Sequence, residues 1–182
     1  MELQKYDISQ TEELKKVYIR LADAGAVFPD IAITTPEDAI RAVGTEIRNM
    51  DKEMIYSINL RSNGTPINVM LAGVGKEGGC LCSPASLIRA AILSNASSMI
   101  MVHNHPSGEL KPSAADIKMA DRMIQICKLH EIDFLDSVIV AYGKKNCYSM
   151  KRRDTCDFYY DTNQYAKTEE ELVFPKKTAR SR

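Results

Sequence analysis

The sequence predicts an α/β (α+β) domain, a mixed β-sheet flanked by helices. Two observations carry the prediction. Stretches with apolar residues at helical spacing are interleaved with stretches of period-two alternation, and the order helix, hairpin, helix, strand, helix, hairpin gives a layered sandwich with a mixed sheet. A length of 182 residues accommodates one core of usual size and is too short for two.

Leu14, Val17 and Leu21 recur at i, i+3, i+7 between Thr11 as N-cap and Gly25 as stop, which predicts an N-terminal helix added to the core. In the segment from Thr34 to Met50, Thr35 caps, Pro36 takes the first helical position, and Ile40, Val43, Ile47 and Met50 share one face of a second helix. The period then changes. Met54, Tyr56, Ile58 and Leu60 alternate, Asn63-Gly64 signals a two-residue hairpin turn, and a second apolar run opens at Ile67. Ser83 and Pro84 start a short helix running to about Ser94, and Ser97 to His105 reads as a compact strand. After the loop 106–112, Ser113 stands at the N-cap of a helix whose inner face carries Ile117, Ala120, Ile124 and Cys127. A last hairpin turns at Gly143-Lys144-Lys145-Asn146, and the polar stretch from Lys151 to Arg182 loses periodicity and is expected to be partly disordered.

Hydrophobic residues at 45% and charged residues at 26% exclude fibrous, disordered and membrane-embedded classes. No apolar stretch approaches the roughly 18 residues of a membrane span, and the N-terminus lacks the apolar segment of a signal peptide, so a cytoplasmic location is expected. Cys80, Cys82, Cys127, Cys147 and Cys156 are odd in number and irregularly spaced, which reads as reduced thiols rather than a disulfide framework. With 24 acidic and 24 basic residues, no broad basic surface marks nucleic acid as the default partner.

The chemistry gathers at the end of the central strand. His103 and His105 are two apart, so both imidazoles project from one face of the pleat. Pro106-Ser107-Gly108 turns the chain, and Asp116 follows in the first turn of the next helix. Three ligands of suitable type can therefore converge, and a His2Asp set that leaves one tetrahedral position open is the pattern of catalytic zinc. Asp116 also has the spacing of a capping box with Ser113 and a favourable place in the helix dipole; ligation and capping are compatible. His130, near its helix end, pairs with no other candidate ligand. The chain lacks the deaminase pattern of a Glu two residues after the His with a downstream Pro-Cys-x-x-Cys, and it carries no H-E-x-x-H helix, P-loop or G-x-S-x-G elbow.

Glu53, then His103-Asn104-His105-Pro106-Ser107-Gly108, then Pro112-Ser113-Ala114-Ala115-Asp116 resemble the JAMM (MPN+, JAB) metalloprotease signature. The flanking Ser83-Pro84-Ala85, Asn95-Ala96 and Leu135-Asp136-Ser137-Val138-Ile139-Val140 are similar to the RadC branch. The resemblance implies a three-layer, cytidine-deaminase-like architecture. It places a RadC-like MPN (JAB) domain at 34–151, between an N-terminal helical extension at 1–33 and a C-terminal tail at 152–182. It implies a zinc ion on His103, His105 and Asp116, with Glu53, rather than Glu46 seven residues upstream, as the general base of a hydrolase acting on an amide bond. Ser113 would hydrogen-bond the oxyanion or the attacking water. The expected partner is a protein or peptide substrate. Two rival readings stand beside it: a DNA-repair-associated accessory protein that binds nucleic acid, motivated by the RadC likeness and by Lys176, Lys177, Arg180 and Arg182, and a non-catalytic interaction module braced by the metal.

Overall fold

The computed structural model describes residues 31–75 and 82–158. The predicted helix at Leu14, Val17 and Leu21, Cys80, and the basic residues from Lys176 onward lie outside the described residues. The elements are α1 (Pro36–Val43), a 3-10 helix (Thr45–Asn49), β1 (Met54–Leu60), β2 (Pro66–Val74), α2 (Pro84–Leu93), β3 (Ser98–His105), α3 (Ala114–Leu129), β4 (Asp133–Ala141) and β5 (Cys147–Ser149).

The strands form one sheet in the order β2-β1-β3-β4-β5. β1 pairs antiparallel with β2 and with β3, β3 runs parallel to β4, and β5 returns antiparallel to β4. The α3 crossover between β3 and β4 makes the parallel pair possible, and the mixed sheet predicted from the order of elements is what forms. Period two divides β3 between the two faces. Met99 and Met101 pack with Leu87, Ile88 and Ala91 of α2 and with Ala120, Met123, Ile124 and Cys127 of α3. Ile100 and Val102 pack on the other side with Ala39 and Ile40 of α1 and with Ile47. Three layers result, with β3 at the centre. The fully buried Leu87, Met99 and Met123 each contribute roughly 1.5–3 kcal/mol through removal of apolar surface from water.

Two expectations change in detail. The helix predicted through Met50 breaks at Gly44, which has φ 95° and ψ 136°, and resumes as the 3-10 helix. Glycine disfavours helix by about 1 kcal/mol relative to alanine, and Ile47 still reaches the core from the tighter turn. The β1–β2 turn is longer than the two-residue form: Arg61 N–H donates to the Thr65 carbonyl, enclosing Ser62, Asn63 and Gly64. Gly64 alone takes positive φ there, 81°, as in a three-residue hairpin with a bulge, and the pairing register shifts between Asn59 and Leu60.

Ser83 precedes α2 in extended conformation but makes no side-chain capping bond. Residues after β5 pack on the core: Phe158 stacks on Phe134 with ring centroids 5.9 Å apart. Among the described residues, no helix is long and apolar enough to cross a membrane, and Cys82, Cys127, Cys147 and Cys156 form no disulfide with one another.

Candidate metal centre

β3 ends at His105, with His103 and His105 on the face that looks toward α3. The chain turns at once, with Gly108 N–H donating to the His105 carbonyl at 3.2 Å and Gly108 holding φ 82°. Glycine is suited to this left-handed conformation because it has no Cβ to clash. The turn brings the Glu109 carbonyl to 2.8 Å from His105 Nδ1. A carbonyl oxygen only accepts, so Nδ1 carries a proton and Nε2 is the ring nitrogen turned to the site. An outer hydrogen bond of this kind orients a metal-ligating imidazole.

α3 begins where the turn ends. Ser113 is its N-cap, with the hydroxyl accepting from Asp116 N–H at 3.2 Å. The Asp116 carboxylate folds back, and its Oδ2 accepts from Ser113 N–H at 2.7 Å and from the Ser113 hydroxyl at 2.6 Å. The same carboxylate faces both imidazoles: Oδ1 lies 3.3 Å from His103 Nε2 and Oδ2 lies 3.4 Å from His105 Nε2. Capping and approach to the histidines thus coexist in one side chain. The two Nε2 atoms are 3.2 Å apart.

These separations test whether a metal fits. A tetrahedral zinc ion with donor bonds of about 2.0–2.1 Å holds its donor atoms about 3.3–3.4 Å from one another. The nitrogen–nitrogen distance here, 3.2 Å, is close to an edge of such a polyhedron, and each nitrogen lies at a like distance, 3.3 and 3.4 Å, from one of the two Asp116 oxygens, so the donor types and spacing fit the ion. Glu53, in the lead-in to β1, completes the cluster: one donor atom from each of Glu53, His103, His105 and Asp116 lies within 4.8 Å of all the others.

Electrostatics favour an ionised Asp116. Burial would push its carboxyl up, but hydrogen bonds with His103 and His105 outweigh burial and hold it well below the usual carboxylate range. The His105 imidazole is raised, chiefly by Asp116 and against the effect of burial. A divalent cation would replace the protons of this arrangement and meet an anion already formed. The His103 side chain is 1% exposed, and those of His105 and Asp116 are 13% and 14% exposed, so the cluster is buried at His103 and partly reached by solvent at His105 and Asp116.

The structure therefore brings Glu53, His103, His105 and Asp116 together, with Ser113 against the last of them. His130 caps the far end of α3 and takes no part. The sequence reading assigned no role to Asn104. It lies between the two histidines but on the opposite face of β3, fully buried, where its side chain bonds to the segment that carries Glu53. The residue type and strand alternation were visible in the sequence; the contact, across a sequence separation of some fifty residues, was not.

The family model described as the RadC-like JAB domain matches residues 33–155. A UPF0758 protein of Clostridium acetobutylicum is 33% identical over 116 residues, covering 64% of this chain and 51% of the relative. One of Caldanaerobacter subterraneus subsp. tengcongensis is 32% identical over 129 residues, covering 71% and 54%. One of Methanosarcina mazei is 28% identical over 116 residues, covering 64% and 51%. The chain spans about half the length of the curated relatives it matches. A four-residue cluster of metal-binding type, set on a mixed sheet by segments within that match, accompanies the likeness, and the chain belongs to the family of RadC-like JAB domain proteins.

Proposed function

We propose that this chain is a zinc-dependent hydrolase of JAMM type, a metallopeptidase or isopeptidase that cleaves an amide bond in a protein or peptide substrate in the cytosol. The observation that carries the reading is the convergence of His103, His105 and Asp116 at 3.2 to 3.4 Å with Glu53 beside them. Three protein donors leave a tetrahedral ion one open position, as catalytic zinc sites do and closed structural sites do not.

Zinc, when bound, supplies a Lewis acid that polarises a carbonyl and brings the pKa of water to about 7. The chain's own residues supply the rest. His103 and His105 would hold the ion as neutral donors, the latter fixed in orientation by the Glu109 carbonyl. Asp116 offers the negative charge, aimed by its bonds from Ser113. Glu53 accepts the proton of the attacking water and delivers it to the leaving amine, a role that contributes about 10²–10⁴-fold in general acid–base catalysis. A hydroxyl has one proton, and that of Ser113 is directed at Asp116. This geometry favours Ser113 as the residue that orients the carboxylate over Ser113 as a direct donor to the oxyanion.

The test is a mixed peptide library incubated with the zinc-loaded chain and read by mass spectrometry. Cleavage is expected that disappears on chelation, returns with zinc, and is absent in Glu53→Gln. Equal cleavage by wild type and Glu53→Gln, or none by either across a broad library, would count against the reading.

A further inference from the structure

We propose that Asn104 is a positioning residue for Glu53, fixing the backbone from which the general base reaches the metal centre. The inference rests on the role proposed above for Glu53. Asn104 is fully buried in β3 between His103 and His105, and strand alternation sends its side chain away from the metal face, toward the segment that leads into β1. There Asn104 Oδ1 accepts from Met54 N–H at 2.6 Å, and Nδ2 donates to the Lys52 carbonyl at 3.0 Å and to the Met50 carbonyl at 3.4 Å. The orientation of the amide is forced, because Met54 N–H can only donate and the two carbonyls can only accept.

The choice of partners is what points to Glu53. The Lys52 carbonyl belongs to the peptide group before Glu53, and Met54 N–H belongs to the peptide group after it. One side chain therefore pins both peptide planes that flank Glu53, while Gly75 N–H, donating to the Glu53 carbonyl at 2.6 Å, holds the second plane from the other side. Glu53 lies before the first ladder residue of β1, so strand pairing alone does not fix its φ and ψ. The central strand thus holds the ligands with two of its side chains and the base with the side chain between them, in one rigid unit. Loss of that clamp displaces Glu53 without touching His103, His105 or Asp116, and a shift of about 1 Å in a catalytic group costs on the order of 10²-fold in rate.

The experiment is a set of crystal structures of wild type, Asn104→Ala and Asn104→Ser, each soaked with zinc, with zinc occupancy refined. In Asn104→Ala the Glu53 carboxylate is expected to move by about 1 Å or more, with the three ligands and the zinc occupancy unchanged. Asn104→Ser, which keeps one hydroxyl for the clamp, is expected to show a smaller shift in the same direction. It also serves as the folded variant if the alanine protein does not fold. Glu53 unmoved in the variants, or His103 and His105 moving along with it, would overturn the proposal. Zinc absent from every crystal, wild type included, would sink the metal reading above, while the position of Glu53 would still decide the role of Asn104.

Discussion

The Ser113 hydroxyl donates to Asp116 Oδ2 across 2.6 Å, and the Asp116 amide donates back to that hydroxyl, so the first turn of α3 and the anionic corner of the candidate metal centre are one hydrogen-bonded unit. Ser113→Ala is expected to cost about 1 kcal/mol in denaturant unfolding of the metal-free protein through loss of the cap. It should also weaken zinc binding about 10- to 100-fold in a competitive chelator titration, because an outer hydrogen bond that aims a ligand is lost. A cost in unfolding with zinc affinity intact would mean that the hydroxyl serves the helix alone.

Asp136 is buried, and burial raises its carboxyl although the Ser149 hydroxyl at 2.5 Å and Lys151 N–H at 3.0 Å both donate to it. A carboxyl whose folded pKa is raised contributes stability when protonated, and that contribution is lost as pH rises from the unfolded value of about 3.9 through the folded pKa. Asp136→Asn keeps an acceptor for Lys151 N–H and removes the ionisation. The difference in melting temperature, variant minus wild type, is expected to grow as pH rises from 4 toward 7. A difference independent of pH would show that Asp136 does not titrate abnormally in the folded chain. Glu37, Asp38 and Asp116, all lowered, push the other way in both proteins and cancel in the difference.

Cys127 lies fully buried on the inner face of α3, and burial pushes its thiol up to about 12. Thiolate is the reactive form. Cys127 is therefore expected to resist alkylation by iodoacetamide at pH 8 in the native protein and to react promptly in denaturant, as read by peptide mass spectrometry. Native-state labelling as fast as in the unfolded chain would place the residue elsewhere.

Much of this site was legible in the sequence because it depends on short-range rules. Two residues of spacing put His103 and His105 on one face, and capping-box spacing put Asp116 beside Ser113. Helix starts at Pro36, Pro84 and Ser113 were legible for the same reason. What the pattern missed depends on backbone conformation or distant pairing. Gly44 interrupts an amphipathic stretch whose apolar spacing alone continues across it, and Gly64 selects a three-residue turn where Asn-Gly suggested two. Glu53 is near the histidines only because β1 pairs antiparallel with β3, Ile55 opposite His103, a relation no local spacing contains. Asn104 escaped for the complementary reason: its partners are the backbone of that same distant segment.

In the function proposed above, His103 and His105 hold a zinc ion and Glu53 does not. Zinc content measured by inductively coupled plasma mass spectrometry on wild type, Glu53→Gln and the His103→Ala/His105→Ala double variant tests it most directly. About one zinc per chain is expected in wild type and in Glu53→Gln, and none in the double variant. A wild type that takes up no zinc when supplied with it, or a double variant that keeps it, would rule out a zinc site on these histidines.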